Sequence, residues 1–230
     1  MANRLDTVKD HFDGEAGVFD SHVIKAVPYY AQMLEALISN ITFEKGRVFS
    51  AVDIGSGTGT LAYLLKKRFP NTKIKCVDFS PKMLEAAKQK LKGFEGITFE
   101  QADIYNYSFK DNIDAVVSSL ALHHLGTDAD KKRFQEKSFE ALNSEGIFIN
   151  ADIILATDEK RQQVCLEKWK EFNMQSMTDE QIYDTTHKYK TEDRPAVLMN
   201  EIENLRSIGF RSVEVFWRYY NFSVYGGVKG

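Results

Sequence analysis

The stretch that decides the fold is AVDIGSGTGTL, residues 51–61. An apolar run passes through Asp53, and glycines then follow at alternate positions, Gly55, Gly57 and Gly59. Glycines in such a turn allow the backbone to approach a ligand closely. A buried strand that enters a glycine-rich turn and then a helix is typical of nucleotide-binding α/β folds. The stretch therefore predicts a ligand site at the carboxyl end of a strand.

The two common phosphate-binding patterns do not fit this loop. A P-loop requires a lysine after its second glycine, and residues 55–61 contain no lysine. A dinucleotide fingerprint requires the spacing G-x-G-x-x-G, whereas the third glycine here comes one position early. Asp53 would also repel a pyrophosphate. A carboxylate at this point favours a ligand that carries an ammonium or sulfonium group and no phosphate.

Alternating strand and helix patterns surround the loop. Residues 48–155 contain five strand-like runs separated by helical patterns, one of which opens with Ser80 and Pro81, a typical helix start. This alternation predicts a parallel sheet with helices on both faces. Helical patterns follow, and residues 211–229 then read as two neighbouring strands. We expect a Rossmann-like, seven-stranded, mostly parallel sheet with an antiparallel C-terminal strand pair and helical lid elements.

The composition indicates an ordinary globular domain. The chain has 230 residues, of which 43% are hydrophobic and 27% charged, with a net charge of −3. We expect residues 1–230 to form a single domain. The net charge argues against nucleic acid as a partner. The absence of a signal-peptide pattern and of a long apolar run predicts a cytoplasmic protein without membrane contact.

Short basic runs and the two cysteines carry no functional signal. The runs that begin at Lys66 and Lys131 lie in helical patterns, which predicts solvated helix faces. Cys76 lies in an apolar strand pattern and is expected in the core. Because Cys76 and Cys165 lack a partner spacing, we expect neither a disulfide framework nor a cysteine metal site.

Three carboxylates follow one another at the ends of successive strands. Asp53, Asp78 and Asp103 are each 25 positions apart. Carboxyl ends of parallel strands face the crevice in which open α/β sheets bind ligands. A carboxylate at the end of the second strand commonly accepts hydrogen bonds from ribose hydroxyls. The sequence therefore predicts a ligand that combines a ribose with a cationic group.

At this point the chain resembles the class I S-adenosylmethionine-dependent methyltransferases. The resemblance covers about residues 48–155 and lies in four segments, VDIGSGTGTL, CVDFSPKML, EQADI and SEGIFINAD. It implies transfer of a methyl group from S-adenosyl-L-methionine, with S-adenosyl-L-homocysteine as the product. The positions that it implies for the cofactor run from the amino-acid end to the adenine: Asp53, Gly55, Ser56, Gly57, Ser119, Asp78, Phe79, Met83, Asp103 and Ile104.

Both ends of the chain are similar to a small-molecule subgroup related to carboxy-S-adenosylmethionine synthase. The resemblance implies that Tyr30 touches the methionine end of the cofactor. In that subgroup an arginine holds the additional carboxylate of the carboxylated cofactor. The equivalent position in this chain lies near Thr186, with Lys188 and Lys190 as the nearby basic residues. Because of this departure we expect ordinary methyl transfer to a small molecule. The alternatives are an enzyme like carboxy-S-adenosylmethionine synthase and a non-catalytic S-adenosylmethionine-binding protein.

The resemblance implies that residues 1–45 form an N-terminal helical lid and that residues 156–200 form a helical insertion over the acceptor site. The acceptor site itself is expected beside the histidine pair in LALHHL. His123 and His124 follow the fourth strand, and either could act as a general base, with His123 preferred as the more exposed. Asp152 could orient a histidine or bind the acceptor. We predict no metal at these three side chains, because adjacent histidines rarely converge on one ion.

Aromatic residues outside this motif give a weaker indication. Those of the C-terminal strands could belong to the core or to a homodimer surface. A group of side chains in the insertion could line a pocket, although plain core packing is favoured for most of them: Trp169, Phe172, Met174, Met177, Tyr183 and His187.

Overall fold

A computed structural model of the chain describes residue 14, residues 17–110 and residues 112–230. The part of the expected lid that comprises residues 1–13, 15 and 16 therefore lies outside the described residues. Within them, seven strands form one sheet. The strands are β1 Ser50–Ile54, β2 Lys73–Asp78, β3 Ile97–Gln101, β4 Ile113–Ser119, β5 Leu142–Ile153, β6 Phe210–Tyr219 and β7 Phe222–Lys229.

The strand order is β3-β2-β1-β4-β5-β7-β6. Strands β1 to β5 pair in parallel, whereas β7 is antiparallel to both β5 and β6. This confirms the Rossmann-like fold and the antiparallel C-terminal pair. The strand order reverses between β1 and β4, and ligands in open α/β sheets bind at such a reversal. The glycine loop follows β1 and the histidine pair follows β4, so the topology brings both to this crevice.

Helices cover the sheet. They are α1 Phe19–Ala26, α2 Tyr30–Ser39, α3 Thr60–Arg68, α4 Pro81–Lys90, α5 Asp128–Ala141, α6 Glu159–Asn173, α7 Asp179–Thr191 and α8 Leu198–Ile208, with a 3₁₀ turn at Leu122–His124. The apolar faces of these helices and of the sheet form two large buried clusters.

Local sequence signals account for several of these helix ends. The Ser80 hydroxyl accepts a hydrogen bond from the Met83 N–H, and Pro81 occupies the first helical position of α4. Gly209 ends α8 in a left-handed conformation with φ 117°. Pro28 separates α1 from α2, as its ring predicts.

The prediction of solvated basic faces is wrong for two lysines. Lys66 and Lys131 are buried with 4% exposure each. The Lys66 ammonium donates to the carbonyls of Pro70 and Thr72, and the Lys131 ammonium donates to the Leu125 carbonyl. Both lysines satisfy carbonyl groups that helix and strand leave unpaired. Cys76 is fully buried, as expected. No helix in the described part of the chain is long and apolar enough to cross a membrane.

Candidate active site

The glycine loop turns tightly between β1 and α3. Gly55, Gly57 and Gly59 all have positive φ, a conformation that other residues adopt with strain. A Cβ at Gly55 would collide with the Cβ of Ala121, so the loop and the segment after β4 are in contact there. At Gly57, a Cβ would meet no atom within 4 Å in the described structure. The backbone of Gly57 therefore faces open space in which a ligand can approach it.

Asp78 ties this loop to the next turn. One carboxylate oxygen accepts the Gly57 N–H at 2.8 Å, and the other accepts the Ser80 N–H at 2.9 Å. The side chain is buried, with 6% exposure. Each oxygen of an ionised carboxylate has capacity for a second donor. Asp78 can therefore receive ligand hydroxyls while it holds the loop.

Asp53 is a fully buried carboxylate on β1. Among residues 17–110 and 112–230, neither of its oxygens has a hydrogen-bond partner of normal geometry. Burial, together with the nearby charge of Asp78, raises the pKa of Asp53 to about 8, and the backbone N–H of Ala62 offsets part of that rise. A buried carboxylate without a partner is costly. A cationic ligand group at this position would supply the missing partner.

One cavity of about 360 Å³ unites the predicted residues. All eleven side chains and glycines predicted from the sequence to bind the cofactor line it: Tyr30, Asp53, Gly55, Ser56, Gly57, Asp78, Phe79, Met83, Asp103, Ile104 and Ser119. The volume lies in the range of small-molecule sites. Their contact with a cofactor stays a prediction, but the fold brings every one of them to the same place.

The two histidines occupy different positions, and the preference for His123 as the exposed one is wrong. His123 is buried, and its Nδ1 lies 2.5 Å from Asp152 Oδ1. The Asp152 carboxylate also accepts the backbone N–H of His123 at 3.1 Å. His124, by contrast, lines the cavity. The predicted orienting role of Asp152 thus agrees with its contact to His123, while His124 is the ring that an acceptor can reach.

A second carboxylate faces both rings. Asp193 Oδ1 lies 3.5 Å from His123 Nε2 and 3.6 Å from His124 Nδ1. Burial alone would lower the pKa of His123, but the charges of Asp152 and Asp193 and the hydrogen bond to Asp152 raise it to about 9. Asp193, a residue that the sequence did not single out, is thus the carboxylate that faces both rings.

Comparison with known proteins supports a methyltransferase. Residues 51–146 match the family model described as a methyltransferase domain. The chain is similar to a carboxy-S-adenosyl-L-methionine synthase of a Nitratiruptor species, with 28% identity over 226 residues that cover 95% of this chain and 92% of the relative. Together with the fold, these matches support a class I S-adenosylmethionine-dependent methyltransferase. This methyltransferase is an enzyme whose cofactor is S-adenosylmethionine.

Solved structures share the methyltransferase fold. Human N-acetylserotonin methyltransferase in complex with its cofactor has 20% identity and a TM-score of 0.64, over 95% of this chain and 56% of that chain. Haemonchus contortus phosphoethanolamine N-methyltransferase 2 in complex with S-adenosyl-L-methionine has 17% identity and a TM-score of 0.69, over 94% and 46%. The methyltransferase spans about half the length of these two proteins, and at such identities the likeness concerns the fold alone.

Sequence reasoning missed a polar cluster that joins the N-terminal helix of the methyltransferase to its glycine loop. The Lys90 ammonium donates to Asp20 Oδ2 at 2.6 Å, to Thr58 Oγ1 at 2.9 Å and to Thr60 Oγ1 at 2.6 Å. The Thr58 hydroxyl donates to Asp20 Oδ1 at 2.6 Å. Burial tends to raise the pKa of Asp20, but the contacts with Lys90, Thr58 and Thr60 lower it overall. Because Phe19 lines the cavity, this cluster holds α1 against the cofactor site.

The aromatic and methionine residues singled out in the insertion lie away from the described cavity. Trp169 and Met177 are buried, which agrees with core packing, whereas Met174 and Tyr183 are exposed. The Trp169 indole donates to the Ala26 carbonyl at 2.6 Å and thereby connects α6 to α1. The insertion reaches the site through Asp193 instead, a residue for which the sequence offered no local signal.

Proposed function

We propose that this methyltransferase acts on a small acceptor without a large negative charge, which binds beside His124. One observation carries the proposal. The cavity that contains the cofactor residues continues to His124, Tyr105 and Leu120, and no lysine or arginine is among its described lining residues. The site can therefore hold the donor and a small acceptor side by side. It offers little to bind a polyanion or an acceptor that carries several carboxylates.

The residues that line the cavity fit the cofactor. The unpaired carboxylate of Asp53 suits the ammonium group of the methionine moiety, and Asp78 retains acceptor capacity for ribose hydroxyls. Phe79 and Ile104 supply apolar surface at the other end. The cofactor itself supplies a methyl group activated by the adjacent sulfonium. The protein then has to align an acceptor with that methyl group and exclude water.

The proposed role of His124 is contact with the acceptor. Its ring lies at the cavity wall, on the 3₁₀ turn that follows β4. His123 supports that turn from behind through Asp152 rather than facing the cavity. The sequence-based general-base role of the pair stays a prediction.

Carboxy-cofactor synthesis is less well supported, although relatives with that name match 95% of the chain. A carboxylated sulfonium requires a cation to pair with the added carboxylate. The two lysines nearest to the expected arginine position, Lys188 and Lys190, do not belong to the described lining of the cavity. Three of its lining side chains are the carboxylates of Asp53, Asp78 and Asp103. This charge distribution favours the ordinary cofactor.

Other parts of the proposal concern organisation and surroundings. We propose a single domain formed by residues 1–230, in which residues 1–45 and 156–200 act as lids over the acceptor. We also propose that the acceptor is a small molecule and that neither nucleic acid nor a membrane is a partner. The same proposal includes a homodimer and a cytoplasmic location.

An acceptor screen tests the function. The purified enzyme is incubated with S-adenosylmethionine and a panel of small phenols, amines, thiols and carbon acids, and S-adenosylhomocysteine formation is measured. We expect turnover with at least one class, and a loss of at least about tenfold in kcat with His124→Gln at unchanged cofactor affinity. His187→Gln, on an exposed helix face, is the matched control.

Mass spectrometry of the ligand that the protein retains through purification separates the alternatives. S-adenosylmethionine or S-adenosylhomocysteine agrees with the proposal, whereas a carboxylated cofactor would overturn it. Full turnover by His124→Gln would remove the assigned role of that residue.

A further inference from the structure

Three side chains from distant parts of the sequence converge beside the acceptor end of the cavity. They are His123 and His124 on the 3₁₀ turn and Asp193 in the segment after α7. One ligand atom from each lies within 4.8 Å of the others. Below, they are called the His–His–Asp cluster.

The separations in the His–His–Asp cluster fit a shared ion better than direct hydrogen bonds. Asp193 Oδ1 lies 3.5 Å from His123 Nε2 and 3.6 Å from His124 Nδ1. Hydrogen bonds between nitrogen and oxygen measure about 2.7–3.2 Å. In a tetrahedral zinc site, bonds of about 2.0–2.1 Å place neighbouring ligand atoms about 3.4 Å apart. The observed distances therefore leave space for one ion between the three atoms.

Asp152 prepares His123 to act as a ligand. Its Oδ1 lies 2.5 Å from His123 Nδ1, so in a metal-bound ring the proton would stay on Nδ1 and the Nε2 lone pair would face the ion. Metal-binding histidines commonly donate their other N–H to a carboxylate in this way. The second Asp152 oxygen accepts the backbone N–H of His123 and fixes the turn itself. Asp152 is thus a positioning residue rather than a ligand.

The backbone holds Asp193 in place opposite the two rings. The N–H of Arg194 donates to the His123 carbonyl at 2.8 Å. A little further along, Leu155 N–H donates to the Ala196 carbonyl at 2.8 Å, and Leu155 pairs with Val197 in a parallel bridge. The segment that carries Asp193 is therefore anchored both to the 3₁₀ turn and to the end of β5. Such anchoring lowers the cost of bringing three ligands together.

The charge of the surroundings also suits a cation. Asp152 and Asp193 contribute two carboxylates around two imidazole rings, and Lys131 is the cation whose charge reaches His123. All three cluster side chains are largely buried, with exposures of 9% and 14% for His123 and His124 and 16% for Asp193. A cation held between the rings would face the Asp193 carboxylate directly and the Asp152 carboxylate through the His123 ring.

The sequence predicts no metal at the histidine pair, but the structure adds Asp193 and brings one ligand atom of each ring to it. We therefore propose that the His–His–Asp cluster binds one divalent transition-metal ion of the zinc class through His123 Nε2, His124 Nδ1 and Asp193 Oδ1. Two imidazoles and one carboxylate form a ligand set typical of Zn²⁺ and of neighbouring ions such as Co²⁺. Three protein ligands leave a tetrahedral ion one open position. Since His124 lines the cavity, that position is available to water or to an oxygen atom of the acceptor, and this last clause rests on the proposed function.

Metal titration tests the site without any acceptor. The full-length protein is treated with a chelator, dialysed and titrated with Co²⁺, while visible absorption is recorded. We expect saturation at one ion per chain, absorption bands of tetrahedral Co²⁺, and displacement by Zn²⁺. Asp193→Ala and His124→Gln should each weaken Co²⁺ binding at least about tenfold. Asp184→Ala and His187→Gln, both on exposed positions of α7, should bind as the wild type does.

Two results would overturn the proposal. One is the absence of saturable Co²⁺ and Zn²⁺ binding near one equivalent in the wild type. The other is wild-type Co²⁺ affinity in both cluster variants, which would place the ion elsewhere. Binding of S-adenosylhomocysteine and thermal unfolding show whether each variant is folded, and Asp193→Asn replaces Asp193→Ala if the latter is not. Failure of metal binding would leave the proposed methyl transfer untouched, because the acceptor screen is measured separately.

Discussion

The carboxylate of Asp78 accepts the backbone N–H of Gly57 at 2.8 Å, so the residue that ends β2 also fixes the loop that follows β1. Its other oxygen accepts the Ser80 N–H at the start of α4. The Asp78 carboxylate therefore fixes the conformation of the glycine loop and of the turn into α4. Loss of Asp78 should affect both the proposed ribose contact and the shape of the loop.

We expect Asp78→Ala to weaken S-adenosylhomocysteine binding by at least about 30-fold. The estimate assumes the loss of charge-assisted hydrogen bonds worth about 2 kcal/mol or more. Asp78→Asn should fall between the alanine variant and the wild type, because its amide oxygen can replace only one carboxylate acceptor. Isothermal titration calorimetry measures all three proteins.

The matched control is Asp114→Ala. Asp114 also accepts a strand-end backbone N–H, that of Ser50 at 2.8 Å, but it does not line the described cavity. This variant should lower thermal stability and retain cofactor affinity. Equal affinity of Asp78→Ala and the wild type would contradict the assigned role of Asp78.

Asp53 should make the ligand-free enzyme less stable as the pH rises. Its folded-state pKa of about 8 lies above the ordinary value of 3.8, so the folded protein retains a proton that the unfolded chain has lost. The free energy of unfolding contributed by this group therefore falls between about pH 4 and pH 8. Asp53→Asn removes the titration and should raise Tm by about 3 °C or more at pH 8, with little effect at pH 4.5.

The same substitution should reverse its effect when the cofactor product is present. The neutral amide of the Asp53→Asn variant cannot form an ion pair with the ammonium group of S-adenosylhomocysteine, so the wild type should gain more stability from a saturating concentration of this ligand. Thermal melts at both pH values, with and without S-adenosylhomocysteine, give the comparison. An unchanged difference in Tm across the four conditions would show that Asp53 is not the partner of a cation.

Local motifs could be predicted from the sequence because the contacts that form them join residues close together in the chain. Ser80 caps α4 through its neighbour Met83, and the glycine spacing sets the loop through the backbone itself. The same holds for Gly209 at the end of α8. The carboxylates at the strand ends follow from topology, since parallel strands deliver their carboxyl ends to one crevice. Residues that line the cavity could therefore be predicted from one sequence, while their contact with a cofactor stays a prediction.

The acceptor side depends on tertiary contacts that no local pattern displays. The sequence does not show that His123 is buried, because its partner, Asp152, comes from another strand. Asp193 reaches the histidines only because the segment after α7 is hydrogen-bonded to the 3₁₀ turn. Likewise, the run of basic residues that begins at Lys66 does not show that the Lys66 ammonium is buried and donates to the carbonyls of Pro70 and Thr72.

Lys90 should determine how firmly α1 closes the cofactor site. Lys90→Met removes the ammonium that joins Asp20 to Thr58 and Thr60 and leaves the stem of the side chain in place. Because the pair is partly exposed, we expect a loss of about 1 kcal/mol, or about fivefold in S-adenosylhomocysteine affinity. Hydrogen exchange of residues 19–26 should become faster in the same variant.

Lys88→Met is the control for Lys90→Met. Lys88 lies on the same helix and forms an exposed pair with Glu85 at 3.7 Å, away from the cavity. The Lys88→Met variant should change neither the affinity for S-adenosylhomocysteine nor the rate of hydrogen exchange in α1. Slow exchange of residues 19–26 in Lys90→Met would mean that other contacts, such as the Trp169 indole on the Ala26 carbonyl, suffice to hold the helix.

Glu201 should give a second pH dependence, located away from the cofactor. Its carboxylate accepts hydrogen bonds from Gln135 at 2.7 Å and from the Tyr225 hydroxyl at 2.8 Å, and burial raises its pKa to about 7 from an ordinary 4.5. The folded state thus binds a proton more tightly than the unfolded chain, and stability is lost as the pH rises from about 4.5 to 7. Glu201→Gln should raise Tm by about 3 °C at pH 8 and leave it nearly unchanged at pH 4.5.

Glu203→Gln, on an exposed position of the same helix, is the control and should show no such difference between the two pH values. A parallel Tm profile for Glu201→Gln and the wild type would mean that Glu201 remains ionised throughout, held in that state by the charge of Lys131.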